Sequence, residues 1–136
     1  MPAFAAGPSG PPVDGLFVGL ISGTSADGID AALVRFQRHE SRDAVELLLG
    51  RTYAWDDALR ERLVVLGQGS DAQSLDELGT LDVQIAEAFA DATLRVLAEA
   101  GVSAGAVRAI GSHGQTVRHR PEGARFDGRD PFTWQV

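Results

Sequence analysis

The octet Gly23-Thr24-Ser25-Ala26-Asp27-Gly28-Ile29-Asp30 joins two apolar runs, Leu16–Ser22 and Ile29–Phe36, and shares its last residues with the second. Each run has strand length, and too few residues lie between them to form a helix. The chain must therefore reverse there as the tight turn of a β-hairpin. Two glycines, two hydroxyls and two carboxylates make this turn rich in free backbone N–H donors and in oxygen groups. A nucleotide phosphate and its Mg²⁺ require such a set. A plain hairpin that uses Gly and Asp for their tolerance of positive φ draws on the same residue types. The octet is not a Walker A loop, because no Gly-Lys-Ser/Thr follows and the next element reads as a strand. It is not an EF-hand either, since the remaining ligands and the terminal Glu are missing.

Around the hairpin the pattern extends to a three-stranded meander, with Val45–Trp55 as the third strand after the polar turn Gln37–Asp43. Asp56, followed by Asp57, marks a helix start, with Leu59, Leu63 and Leu66 on one face and Gly67 and Gly69 as the stop. Ser74 and Glu77 form a capping-box pattern. Leu78, Leu81, Ile85, Phe89, Ala92 and Val96 then recur at helical spacing, Gln84, Glu87, Asp91 and Arg95 fall on the wet face, and Gly101 closes the helix. Val107–Gly111 reads as a short strand parallel to the first, because the long helix carries the chain back across the sheet. It delivers Ser112-His113-Gly114-Gln115-Thr116 at its carboxyl end, where open α/β sheets bind ligands, so this segment and the octet are expected to face one crevice. Arg118–Asp130 reads as a polar surface loop and Phe132–Val136 as the start of another strand. Trp55 and Trp134 read as core or interface residues.

With 136 residues, 44% of them hydrophobic, the chain suits a single domain that buries roughly 65–70% of its extended surface. A net charge of −7 argues against nucleic acid, whose binding depends on Lys and Arg neutralising phosphates. It does not exclude a nucleotide, because charge repulsion is screened beyond about 8 Å at physiological salt. The absence of cysteine removes disulfides, thiolate metal sites and redox thiols. Residues Met1–Asp14 carry four of the six prolines and no Lys or Arg, and read as a disordered tail, not a signal peptide. No apolar stretch reaches the roughly 18 residues of a membrane span, so the expected compartment is the cytoplasm.

The Ser112–Thr116 segment offers neutral hydrogen-bonding groups suited to a polyhydroxylated ligand, and of Arg118, His119 and Arg120 beyond it the Arg side chains are able to hold a carboxylate bidentately. A solvated loop with a capping Ser has the same composition. His113 and His119 lack a clear third partner for a metal. Ser112 and His113, adjacent on an extended segment, point to opposite faces and cannot readily exchange a proton as a hydrolase pair.

Taken together, Gly19-Leu-Ile-Ser-Gly-Thr-Ser-Ala-Asp-Gly-Ile-Asp-Ala-Ala-Leu-Val34 and Ile110-Gly-Ser-His-Gly-Gln-Thr-Val-Arg-His119 resemble the bacterial anhydro-N-acetylmuramic acid kinases, and Pro131–Val136 resembles that family's next strand. The resemblance runs from about Leu16 to Val136. It implies an α/β, ribonuclease-H-like (actin-like ATPase) domain of the sugar kinase, Hsp70 and actin superfamily: a three-stranded meander followed by helices and parallel strands, incomplete at the C-terminus. By the resemblance, Gly23, Thr24, Ser25, Ala26, Asp27, Gly28, Ile29 and Asp30 cradle the phosphates of ATP with Mg²⁺. Ser112, His113, Gly114, Gln115, Thr116 and, more weakly, Arg118 and the Gln135 strand lie by the sugar. The implied catalytic base, an Asp in an Asp-Thr-Gly-Pro-Gly-Asn motif, is expected beyond Val136, so residues 15–136 read as the N-terminal part of the first kinase domain, inactive alone. Relatives commonly form homodimers. A stand-alone nucleotide- or sugar-binding module is the alternative. Two departures concern packing: Ala26 replaces a bulky residue and Trp134 an aliphatic one.

Overall fold

The computed structural model describes residues 14–38, 43–123 and 131–136. The expected tail up to residue 13, the centre of the polar turn after Gln37 and most of the 118–130 segment lie outside these. Five strands form one sheet in the order β3-β2-β1-β4-β5. They are β1 (Gly15–Ser22), β2 (Ile29–Arg38), β3 (Asp43–Tyr53), β4 (Val107–Arg120) and β5 (Phe132–Gln135). β1–β2 and β2–β3 pair antiparallel as the meander requires, and β4 runs parallel to β1. β5 returns antiparallel to β4, so the sheet holds one parallel pair among the described residues instead of a parallel series.

Helices α1 (Asp57–Gly67) and α2 (Leu75–Glu99) connect the meander to β4. Asp56 caps α1, its carboxylate accepting from the Ala58 and Leu59 N–H groups at 3.1 Å. Ser74 caps α2 by accepting from the Glu77 N–H at 3.0 Å, while the Glu77 carboxylate reaches back to the Gln73 N–H and pairs with Arg62. On α2 the buried positions Leu81, Ile85, Phe89, Ala92 and Val96 pack on Val18, Leu20, Ala31 and Leu33 of the sheet, joined by Leu63 and Leu66 of α1. The inner residues alternate along β1 with the outward Gly19 and Ile21, as a half-covered strand demands. At the C-terminal end of α2, Glu99 accepts from Tyr53 Oη at 2.9 Å and pairs with Arg51 at 2.7 Å, and Arg95 lies 4.2 Å over the Tyr53 ring. These contacts tie the helix to β3. The Tyr53 hydrogen bond, then the Arg51 contact, hold the Glu99 carboxyl below the usual glutamate range, and burial first, then Glu99, pushes the Tyr53 hydroxyl up.

Two sequence expectations change. Ser112–Thr116 is not a loop after a short strand but lies inside β4, and Arg118–Arg120 belong to the same strand instead of a surface loop. Pairing with β5, from Thr116↔Gln135 to Arg120↔Phe132, supplies the backbone partners that let so polar a run stay extended. Trp55 is buried, while Trp134 stands on edge strand β5 and is 48% exposed.

Candidate functional site

The turn between β1 and β2 closes with the Ala26 N–H donating to the Gly23 carbonyl at 3.0 Å. Ala26 sits at φ 49°, a left-handed value uncommon for a residue with a side chain, and is fully buried. Such a conformation persists only where the surroundings over-determine it, and here side chains from three other elements do so. Arg60 of α1 donates from Nε to the Ala26 carbonyl at 2.9 Å and places Nη2 3.5 Å from the Asp27 carboxylate. Ser22 donates to the Gly28 carbonyl at 2.9 Å and accepts from the Trp55 indole N–H at 3.3 Å. Gln115 of β4 donates from Nε2 to the Gly23 carbonyl at 3.1 Å. The carbonyls of Gly23, Ala26 and Gly28 are thus all occupied. The N–H groups of Thr24, Ser25 and Asp27 make no hydrogen bond within the described residues. Free backbone N–H groups clustered on a turn are the donors that anion-binding concavities use. Gly28 is required sterically, since a Cβ there would stand 2.5 Å from Thr52 Cγ2 and 3.1 Å from the Tyr53 carbonyl. Asp27 is exposed, and Asp30 is exposed on β2 with its carboxylate accepting from Thr52 Oγ1 at 2.5 Å.

β4 brings its polar run alongside. Leu20 pairs with Ser112 and Ser22 with Gln115, so β4 carries one residue more than β1 between these points, a bulge. Gly114 takes φ 73° there, and a Cβ on it would meet the Val136 carbonyl at 2.5 Å. The Ser112 hydroxyl accepts from the Gly114 N–H at 3.1 Å. The bulge leaves Ser112 and His113 exposed and turns Gln115 and Thr116 inward. The Gln135 amide lies 3.1 Å from the His113 ring nitrogens. A cleft of about 520 Å³ opens here, walled by Ile85 and Phe89 of α2 and edged by Ser112, His113, Gly114 and Gln135.

The structure brings the octet and the 112–116 segment into direct contact at Gly23 and Gln115, while distributing the other sequence-selected residues differently. Gln115 is fully buried with its amide NH₂ spent on backbone carbonyls. Arg118 donates to the Ser70 carbonyl at 2.7 Å, and Arg120 reaches the Gly69 carbonyl at 3.4 Å, so both brace the α1–α2 connection instead of facing Ser112. His119 Nδ1 contacts Thr133 Oγ1 at 2.7 Å on the β5 side. Among the described residues no group of three His, Cys, Asp or Glu side chains is placed to hold a metal by itself.

Sequence reasoning missed Arg60 and Ser22 as supports of the turn. A buried Trp needs an acceptor for its N–H, and that requirement could have drawn attention to Ser22 through Trp55.

The fold is an α/β domain of the actin-like ATPase class, with the octet at the turn of its first hairpin. Residues 15–136 match the family model for anhydro-N-acetylmuramic acid kinase, and the chain belongs to that family. The anhydro-N-acetylmuramic acid kinase of Xanthomonas campestris is 56% identical over 122 residues, 89% of this chain. Those of Xylella fastidiosa and Vibrio vulnificus are 50% and 40% identical over 121 residues. The chain spans about 30% of the length of these curated relatives.

Proposed function

We propose that residues 15–136 form the N-terminal part of the first domain of a cytoplasmic kinase of cell-wall recycling. With ATP and Mg²⁺, it opens 1,6-anhydro-N-acetylmuramic acid and phosphorylates it at O6. Water adds to C1, the C1–O6 bond breaks, and O6 receives the γ-phosphoryl group, leaving ADP. The observation that carries this reading is the β1–β2 turn, with its Gly23, Ala26 and Gly28 carbonyls held by Gln115, Arg60 and Ser22 and its Thr24, Ser25 and Asp27 N–H groups free. Phosphoryl transfer asks a protein mainly for positioning and charge stabilisation, and this turn supplies oriented donors. Arg60 adds a cation at its flank. The residues present fit a magnesium ion, which keeps several waters and takes one or two carboxylates plus phosphate oxygens. Asp27, exposed at the turn, would hold it, with Asp30 nearby on β2. Bound there, the ion would offset charge on the phosphates as the γ-group leaves. Ser112, His113 and Gly114 line the sugar side with Gln135, and Gln115, Thr116 and Arg118 serve it from behind. The base that takes the proton from water lies in none of these segments, so the 136-residue chain alone is proposed to be inactive. Homodimerisation of the whole enzyme is part of the same reading.

A family enzyme that carries this segment tests the proposal. Asp27→Asn should lower kcat/KM by about a hundredfold or more. Its melting temperature should stay within about 2 °C, because Asp27 is exposed and its contact to Arg60 is long. Parallel losses of activity and stability would favour the plain hairpin, and a turn that binds phosphate without any turnover would favour the stand-alone binding module.

A further inference from the structure

Gln115 presents a puzzle of placement. It is 0% exposed, and the other buried polar side chains among the described residues are the smaller hydroxyls of Ser22, Thr93 and Thr116. Its Nε2 lies 3.1 Å from the Gly23 carbonyl oxygen and 3.2 Å from that of Thr116. This fixes the amide orientation chemically, since the flipped amide would set Oε1 against two carbonyl oxygens. Oε1 then has no hydrogen-bond partner among the described residues. A half-satisfied buried amide is a poor way to stabilise a core, and an apolar side chain of the same shape does as well or better. The Gly23 carbonyl does not need Gln115 for its own satisfaction either, because the Ala26 N–H already donates to it at 3.0 Å.

The amide does control orientation. The Gly23 carbonyl and the Thr24 N–H belong to one planar trans peptide and point in opposite directions. Whatever holds the carbonyl toward β4 aims the Thr24 N–H away from it, out of the turn. We infer that Gln115 is a positioning residue: it reaches from the sugar-side strand to set the Gly23–Thr24 peptide, so that the Thr24 N–H meets a nucleotide phosphate. Gln115 itself touches no ligand. This inference rests on the phosphate reading of the turn given above, and it moves Gln115 from the sugar's contacts to the phosphate's support. It also makes the strand bearing Ser112 and His113 mechanically continuous with the turn, because Gln115 follows the bulge directly.

The test uses the 136-residue chain, ¹⁵N-labelled and titrated with Mg-ATP. In the unsubstituted chain the Gln115 side-chain NH₂ signals should exchange slowly with solvent and shift on addition of Mg-ATP together with the Thr24 amide. In Gln115→Met the Thr24 amide should move in the free protein, and Mg-ATP affinity should fall about tenfold, with a melting temperature within about 3 °C of the parent. Side-chain NH₂ signals that exchange like a free amide or ignore Mg-ATP would overturn the inference, and this readout survives even if the variant fails to fold. So would a variant that binds Mg-ATP as the parent does, or one whose affinity falls only as far as its stability. If Mg-ATP leaves the whole 23–28 turn of the parent unperturbed, the phosphate reading itself fails, an outcome distinct from failure of the Gln115 role.

Discussion

The β1–β2 turn and the Ser112–Gly114 bulge lie side by side but are held in different ways. Side chains from α1, β1 and β4 reach three carbonyls of the turn, so its backbone is set before any ligand arrives. The bulge is held by a hydroxyl two residues away and by backbone hydrogen bonds between Gln115 and Val136, and its own side chains remain exposed. The difference matches the proposed ligands. A phosphate is gripped by oriented backbone N–H groups, which need rigidity. A sugar is recognised by side chains at a surface, which need a scaffold but less constraint of their own.

The strongest way to break this contrast is Ser22→Ala, which strands the Gly28 carbonyl and the Trp55 indole N–H in the interior. It should cost about 3 kcal/mol in urea denaturation, against about 0.5 kcal/mol for Ser112→Ala at the exposed bulge. Equal costs would mean that the turn is no better fastened than the bulge. Next comes Gly114→Ala, which meets both the positive φ and the Val136 carbonyl and should cost about 2 kcal/mol. Faster hydrogen exchange should appear at Gln115 and Val136, with a smaller change at the Thr24 amide that Gln115 positions. Gly23→Ala, with only Ser25 Oγ at 3.7 Å from the new Cβ, should be nearly neutral, and a large loss there would contradict the account of the turn. Arg60→Met should cost about 1 kcal/mol and shift the Asp27 amide, whose peptide the Ala26 carbonyl shares. A spectrum unchanged at Asp27 would remove Arg60 from the supports.

A separate effect is expected in the α2–β3 tie, remote from both segments. The Glu99 carboxyl is held low by Tyr53 and then Arg51. Its contribution is therefore present above the unfolded glutamate range and is lost as pH falls through the lower folded value. Glu99→Gln should flatten the acid limb of the stability profile without altering hydrogen exchange in the turn. An unchanged acid limb would show that the tie carries no linkage.

Much of this was legible in the residues. The apolar runs Leu16–Ser22 and Ile29–Phe36 read as strands and the three-and-four spacing from Leu81 to Val96 as a helix with one buried face, and these elements formed there. The caps at Asp56 and Ser74 were readable because a short side-chain oxygen before an apolar helix has few other uses. The continuity of β4 through Ser112–Arg120 was not readable. Polar residues and glycine look like loop until an antiparallel neighbour supplies their backbone partners, and that neighbour lies a dozen residues further along. The same distance hid the supports of the turn. Arg60 meets Ala26 across 34 residues and Gln115 meets Gly23 across 92, and local pattern carries no information about such pairs. Gln115 was visible as a polar residue in a ligand-like run, but its burial was decided by the bulge at Gly114, one residue earlier.

The central claim is that the turn and the bulge serve a single cleft, and paramagnetic broadening by Mn²⁺-ATP, with manganese in place of magnesium, tests it most directly. On the ¹⁵N-labelled chain the account predicts the strongest broadening at Thr24, Ser25 and Asp27, the next strongest at Ser112 through Gln115, and none at Glu87 on the outer face of α2. Broadening of the turn that spares Ser112–Gln115, or broadening that is strongest on α2, would contradict it.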